Sequence, residues 1–329
     1  MSDPNPEAVA LAVEMGKNQE FALAITKFTQ DAEEAGRVPP LDLSVQEKIK
    51  ADVAVYEERL NVLFSEADAI NPSRKRVASS VEFLSTPEFY NEITLRGKKI
   101  RERSWQDVVR FVNITFNLGG EAVTELDRVA VHTTTYDPDK RIFQQIDEAK
   151  AAFVAKHDMT HAKALDRKWE DDPFVYNQHG VKTVVYSDNE IIDVYHQPLD
   201  EALTDALVII GSHAPKTFRS WMDVWDTFNI EEGDCSHERQ ARVYACCVLM
   251  NHLFPKFWLD SLSQLQYYFQ SDGPLFIDKL HTRIKKGNFS AQTRNSLNQI
   301  IKASQNGKAT MMMEEALTLT AKETYLKKD

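Results

Sequence analysis

Glycine is scarce in this chain, with 11 in 329 residues, well below the usual share of about 7%. That scarcity leaves little room for tight hairpins and favours helices. It also goes with the absence of a Gly-rich phosphate loop and of a dinucleotide fingerprint. Cysteine is rarer still: Cys235, Cys246 and Cys247. An odd count with two adjacent members suggests no disulfide framework and fits a reducing compartment. No apolar run approaches the roughly 20 residues of a membrane span. The opening Met-Ser-Asp-Pro-Asn-Pro lacks the charged and apolar regions of a signal peptide. The expectation is a cytoplasmic protein with no membrane partner.

One absence is local. The thirty residues from Lys279 to Lys308 contain no Asp or Glu. They contain Lys279, Arg283, Lys285, Lys286, Arg294, Lys302 and Lys308. The other 32 of the 39 Lys and Arg face all 50 Asp and Glu, so the remainder of the chain stands at −18 while the whole stands at −11. Asn288, Ser290, Gln292, Thr293, Asn295, Ser296, Asn298 and Gln299 fill the gaps. Such groups donate to phosphate oxygens without reading bases. A sharp charge asymmetry marks a surface for an anionic partner. Its bland counterpart is a solvated basic face of two helices. A second basic group is Arg96, Lys98, Lys99, Arg101 and Arg103, after Arg74, Lys75 and Arg76.

Along the chain, helical periodicity dominates. Residues 1–6 form a Pro-containing arm, and a helix follows to about Ala35. Ser44 and Glu47 read as a capping box for a helix with Ile49, Val53, Tyr56 and Leu60 inward. Trp105 to Leu118 is amphipathic. Val129 to Thr135 is β-branched and reads as extended, and Ile142 to Ala164 as helical. Residues 121–198 are the least regular part, with no clear domain boundary; the weakest point is the acidic, Pro- and Asn-containing stretch Trp169 to Gly180. Val181–Tyr186 and Ile191–Tyr195 read as a hairpin. From Leu199 the chain is helical again, with Gly211 as a helix end and Ala241 to Phe254 as a central apolar helix. Leu275 to Lys286 and Ser290 to Gln305 form the two basic helices. Met313, Leu317 and Ala321 then recur at spacing four.

The expected fold class is mainly α: a two-lobed helical bundle with extended terminal arms and at most a small β-hairpin. The expected divisions are an arm at 1–6, a lobe at 7–170, a second lobe at 171–308 and an assembly arm at 309–329.

Catalytic patterns are weak. His157 and His161 stand one helical turn apart, a spacing that can hold a metal. The glutamate of the zinc-protease pattern is missing, so they read as two surface histidines and no metal is expected. Glu170, Asp171 and Asp172 form an acid run with no second acidic motif, and Pro173 follows at once. Gly211-Ser212 lacks the second glycine of a nucleophile elbow. Cys246 and Cys247 read as buried and inert. No catalytic residue and no cofactor is assigned.

One segment resembles a known family. Arg242-Val-Tyr244-Ala245, Val248, Met250-Asn251, Pro255 and Trp258 are similar to a core helix of flexible filamentous plant-virus coat proteins. In place of that family's following Phe-Asp pair, this chain has Phe276 and Asp278. The resemblance implies helical bundles whose arms clasp neighbouring subunits and whose groove holds one RNA strand. Charge pattern and resemblance together give the expected function, a self-assembling nucleoprotein or coat protein that packages single-stranded RNA, in the host cytoplasm or a virion. The seven cations of 279–308 and Arg96, Lys98, Lys99, Arg101 and Arg103 would meet phosphates. Tyr267, Tyr268 or Phe289 would stack on bases. The alternatives are an intracellular enzyme using His157, His161 and the acids near 170, or a helical adaptor that binds an acidic protein.

Overall fold

Ile49, Val53, Tyr56 and Leu60 recur at three and four residues, and all are buried. They form the inner stripe of helix α1 (Leu43–Leu63). The helix begins one residue before Ser44, with the Gln46 amide donating to the Asp42 carbonyl. Ser44 lies inside the first turn, and Glu47 pairs with Lys50 at 2.9 Å.

The structure, a computed structural model, describes residues 30, 33–63, 80–85, 88, 120–123, 128–137, 140, 142–164, 166–187, 190–214, 217–233, 235–257, 262–269 and 272–326. The chain divides into two compact units, Met1–Val55 with Arg76–Ala162, and Tyr56–Lys75 with Lys163–Asp329. The helices expected before Ala35 and from Trp105 to Leu118 lie outside the described residues, apart from a short piece near Ala35.

In the first unit, β1 (Ser80–Leu84), β2 (Gly120–Val123) and β3 (Arg128–His132) form a sheet ordered β1-β3-β2. The β1–β3 pairing is parallel and the β2–β3 pairing antiparallel. Val129, Ala130 and Val131 are all fully buried, so the central strand is covered on both faces, as an unbroken apolar run requires. β4 (Thr134–Asp137) and β5 (Ile142–Gln145) make a hairpin. Helix α2 (Glu148–Lys163) follows. Lys156 reaches Asp52 at 2.7 Å, and Lys48 pairs with Glu148.

The second unit contains the meander β6 (Asp166–Asp171), β7 (Phe174–His179), β8 (Lys182–Ser187) and β9 (Glu190–Tyr195). Helices α3 (Gln197–Ser212), α4 (Trp221–Glu231), α5 (His237–Leu253), α6 (Leu262–Phe269), α7 (Gly273–Lys286), α8 (Ala291–Gln305) and α9 (Ala309–Leu326) follow. Thirteen of the sixteen residues of α3 are buried, so it is enclosed all round and forms the axis of this unit. Gly211 lies inside its last turn, where an added Cβ would stand 2.5 Å from the Tyr56 ring. The glycine is thus required by a close approach; it does not cap the helix. The Arg59 guanidinium donates to the Ser212 carbonyl at 2.7 Å, placing a cation on the negative end of α3.

Three polar side chains of α3, Asp200, Thr204 and Asp205, are buried, and each makes hydrogen bonds within the unit. Asp200 Oδ1 accepts from the Val181 and Lys182 amides at 2.7 and 3.3 Å. Val181 belongs to the two-residue β7–β8 loop and Lys182 begins β8; the loop's first residue, Gly180, has φ +60°. Glycine in that position suits a two-residue type II′ turn. Thr204 Oγ1 lies 2.6 Å from the Tyr268 hydroxyl. Asp205 receives the Arg239 fork at 2.9 and 3.0 Å and Arg242 at 3.4 Å. Arg239 continues to Glu232 at 3.2 Å, and Arg242 to Glu201 at 3.8 Å. Burial opposes the charge on Arg239, but Asp205 and Glu232 outweigh it and hold the guanidinium above its usual range.

The expectation of a helical bundle with at most a small hairpin is overturned. Among the described residues there are nine strands in three sheets, one of them a four-stranded antiparallel sheet. The expected hairpin is β8–β9. The stretch expected to be the weakest point of the chain, Trp169 to Gly180, supplies half of β6 and all of β7. Most described β6 side chains are exposed, so this edge strand lacks the apolar alternation that reveals a half-buried strand.

Helix α9 packs on α5 and α8 of the same chain. Ala309, Met312, Ala316 and Leu319 are buried there, and Tyr244 meets Thr320 at 3.0 Å. Its other side leaves Met311 46% and Leu317 47% exposed.

Candidate nucleic-acid interface

Phe276, Leu280 and Ile284 recur at spacing four and are buried, which fixes the inner face of α7. Lys279, Arg283, Lys285 and Lys286 are exposed. Ser290 then caps α8 by accepting from the Thr293 amide at 3.1 Å. Leu297, Ile300 and Ile301 face inward, while Arg294 and Lys302 are exposed. Gly307, at φ +68°, ends α8. The Lys308 amide donates to Ala303 O at 2.9 Å and the Gly307 amide to Ser304 O at 3.1 Å, the paired bonds of a Schellman motif.

The two helices form an αα-hairpin. Arg294 donates across the break to the Gly287 carbonyl at 3.1 Å. One turn further along α8, Asn298 meets His281 at 3.1 Å. Two of the seven cations therefore have structural work: Arg294 bridges the break, and Arg283 lies over the Phe254 ring at 5.1 Å. Lys279, Lys285, Lys286, Lys302 and Lys308 make no ion pair with a described carboxylate. Arg283, Lys285 and Lys286 also complement the helix dipole in the last turn of α7, worth roughly 0.3–1 kcal/mol each. Lys302 complements the last turn of α8 in the same way, so the dipole explains the basic helix ends but not Lys279. Arg96, Lys98, Lys99, Arg101 and Arg103 lie outside the described residues.

The aromatics sort differently from the sequence expectation. Tyr268 is fully buried with its hydroxyl on Thr204, so it cannot receive a base. Burial and then Asp200 push its phenol well above the usual value. Tyr267 and Phe289 are half-buried. A surface aromatic pair is formed by the exposed Trp169 on β6 and the half-buried Tyr176 on β7, cross-strand partners. Their rings stack 5.1 Å apart at an interplanar angle of 2°, and Trp169 is 39% exposed. Arg167, two residues before Trp169, pairs at 3.5 Å with Asp272, the residue that precedes α7. The only signal for this pair in the sequence was a lone tryptophan among charges.

Beneath the basic helices, His196 begins α3 in a left-handed conformation, φ 60°. Its Nδ1 lies 3.4 Å from the Ser304 hydroxyl of α8. Burial, and then the charge of His281, lower its pKa from 6.5 to about 4. The unfolded chain therefore binds more protons between those values, and stability rises with pH across that window. It is complete above 6.5 and is lost on acidification toward 4, by up to about 3 kcal/mol at roughly 1.36 kcal/mol per unit. Urea denaturation at pH 7 and pH 4.5 should show this loss. His196→Asn, which tolerates the positive φ, should flatten the profile, and an unchanged profile would show that His196 is not its source.

The other sequence candidates lie elsewhere in the chain. Burial raises the Cys246 and Cys247 thiols, so they are poor nucleophiles. Glu170, Asp171 and Asp172 are exposed at the β6–β7 end of the second unit. His157 and His161 belong to the first unit. No family model, curated protein or solved structure matches the chain.

Proposed function

We propose that the protein binds single-stranded RNA across the α7–α8 hairpin without reading sequence, and self-associates to package it. The observation that carries this reading is the set of exposed lysines with no described carboxylate partner, on a face whose gaps are amides and hydroxyls. In a chain this acidic, an uncompensated basic face concentrates the field where a polyanion can use it. Trp169 and Tyr176 supply a stacking surface in the same unit, worth roughly 1–3 kcal/mol per base in such sites. The outer side of α9, with Met311 and Leu317, supplies an apolar ridge for a second copy.

Lysine contacts to phosphate act by releasing counterions, so affinity falls linearly with salt on a log–log scale. The test is RNA binding at two salt concentrations for the parent and for Lys279→Ala, Lys286→Ala, Lys302→Ala combined. These three lysines sit on exposed faces and carry no packing role. The triple variant should weaken binding to every sequence by similar factors and reduce the slope by about 0.7 per lost contact. Equal affinity and slope in the two proteins would remove the proposal.

A further inference from the structure

The side chains of His157 and His161 do not lie apart on the surface. Their Nε2 atoms are 3.1 Å from each other, with ring centroids 4.8 Å apart and planes at 73°. His161 is only 9% exposed. We propose that these two imidazoles chelate one divalent transition-metal ion through their Nε2 atoms. This site is independent of the RNA reading and lies in the first unit.

The separation decides the chemistry. An imidazole nitrogen sits about 2.0–2.1 Å from zinc. Two nitrogens at 3.1 Å then subtend about 100° at the ion, using that bond length. That angle fits a cis pair in octahedral or tetragonal coordination and is slightly tight for a tetrahedron. Imidazole ligands suit Zn, Cu, Ni and Fe, and divalent affinity rises toward Cu²⁺. Without metal, the same separation is a hydrogen bond in which one Nε2–H donates to the other ring. Metal binding moves that proton off, so both rings present lone pairs from Nε2 and carry their hydrogen on Nδ1.

Thr160, between the two histidines, donates its hydroxyl to the Lys156 carbonyl at 2.8 Å. The Lys156 ammonium, the nearest cation in sequence, is paired with Asp52 at 2.7 Å. Helix α2 is rigidly held, with Ala151, Phe153, Ala155 and Met159 buried, so the two rings are placed before the ion arrives.

The experiment uses the full chain without any added histidine tag, titrated with Cu²⁺ and with Zn²⁺ by calorimetry. One equivalent should bind, Cu²⁺ more tightly than Zn²⁺. His157→Ala and His161→Gln should each weaken binding at least about tenfold, since loss of a mere supporting partner costs 10–100-fold. His213→Ala, whose ring pairs with Glu231 at 2.9 Å, should leave binding unchanged. X-ray absorption on the metal-loaded parent gives a readout that does not depend on how the variants fold, and it should find two imidazoles on the ion. Absence of binding, unaltered affinity in both histidine variants, or fewer than two imidazoles would overturn the proposal.

Discussion

Asp205→Ala should destabilise the protein by about 3–5 kcal/mol, the range for breaking a buried ion pair from one side. The carboxylate is 0% exposed, and both its oxygens are used by Arg239. Removing it leaves two largely buried guanidiniums side by side, with Glu232 and Glu201 only at the margin. Arg242 cannot compensate, because its buried Nε already lacks a partner. Arg239 is held in addition against the Phe228 ring at 5.5 Å, so it cannot swing to water without losing packing. An exposed pair would contribute only about 0–1 kcal/mol, so the measured size discriminates. Urea unfolding of the variant should show the larger loss. Asp205→Leu combined with Arg239→Met should recover much of it, because an apolar replacement of a buried pair is often neutral. A loss below about 1 kcal/mol would mean that water reaches this network.

Gly180→Ala should cost several times more than Gly307→Ala. Both glycines have positive φ, +60° and +68°. Both substitutions therefore carry the left-handed penalty of about 1–2 kcal/mol. At Gly307 nothing lies within 4 Å of an added Cβ, so that penalty is the whole cost. At Gly180 the Cβ would stand 2.2 Å from Asp200 Oδ1 and 2.8 Å from the Tyr268 ring. The buried carboxylate would have to move away from the Val181 and Lys182 amides. Leaving buried polar groups unsatisfied costs about 1–3 kcal/mol each, so a total near 3–6 kcal/mol is expected. Thermal or urea denaturation of the two variants makes the comparison, and equal losses would refute the steric account.

The basic hairpin was legible because each helix has one apolar stripe and one polar face, so periodicity alone orients Lys279, Lys286 and Lys302. β8 and β9 were legible through their β-branched runs. β6 was not, because an exposed edge strand is under no pressure to alternate, and Asp171, Asp172 and Pro173 read as a break. Gly211 was read locally as a helix end, while the ring that requires it belongs to Tyr56, far away in sequence. The acids of α3 were invisible for a related reason. Asp200 and Asp205 look like ordinary surface carboxylates until Gly180, Arg239 and Arg242 are brought to them. The spacing of His157 and His161 was plain in the sequence, but the burial of His161 and the 3.1 Å approach were not.

Tyr56 and Arg59 hold one more implication. The second unit opens at Tyr56, gives way to Arg76–Ala162 of the first, and resumes at Lys163. Neither unit is a continuous stretch of polypeptide, so no single cut can separate them. A fragment ending at Ala162 would keep Tyr56 and Arg59 but have no α3 for them to meet. A fragment beginning at Lys163 would lack the ring that lies against Gly211 and the guanidinium that closes the end of α3. On the ribosome, the same two side chains must wait for more than a hundred residues to emerge before their partners exist.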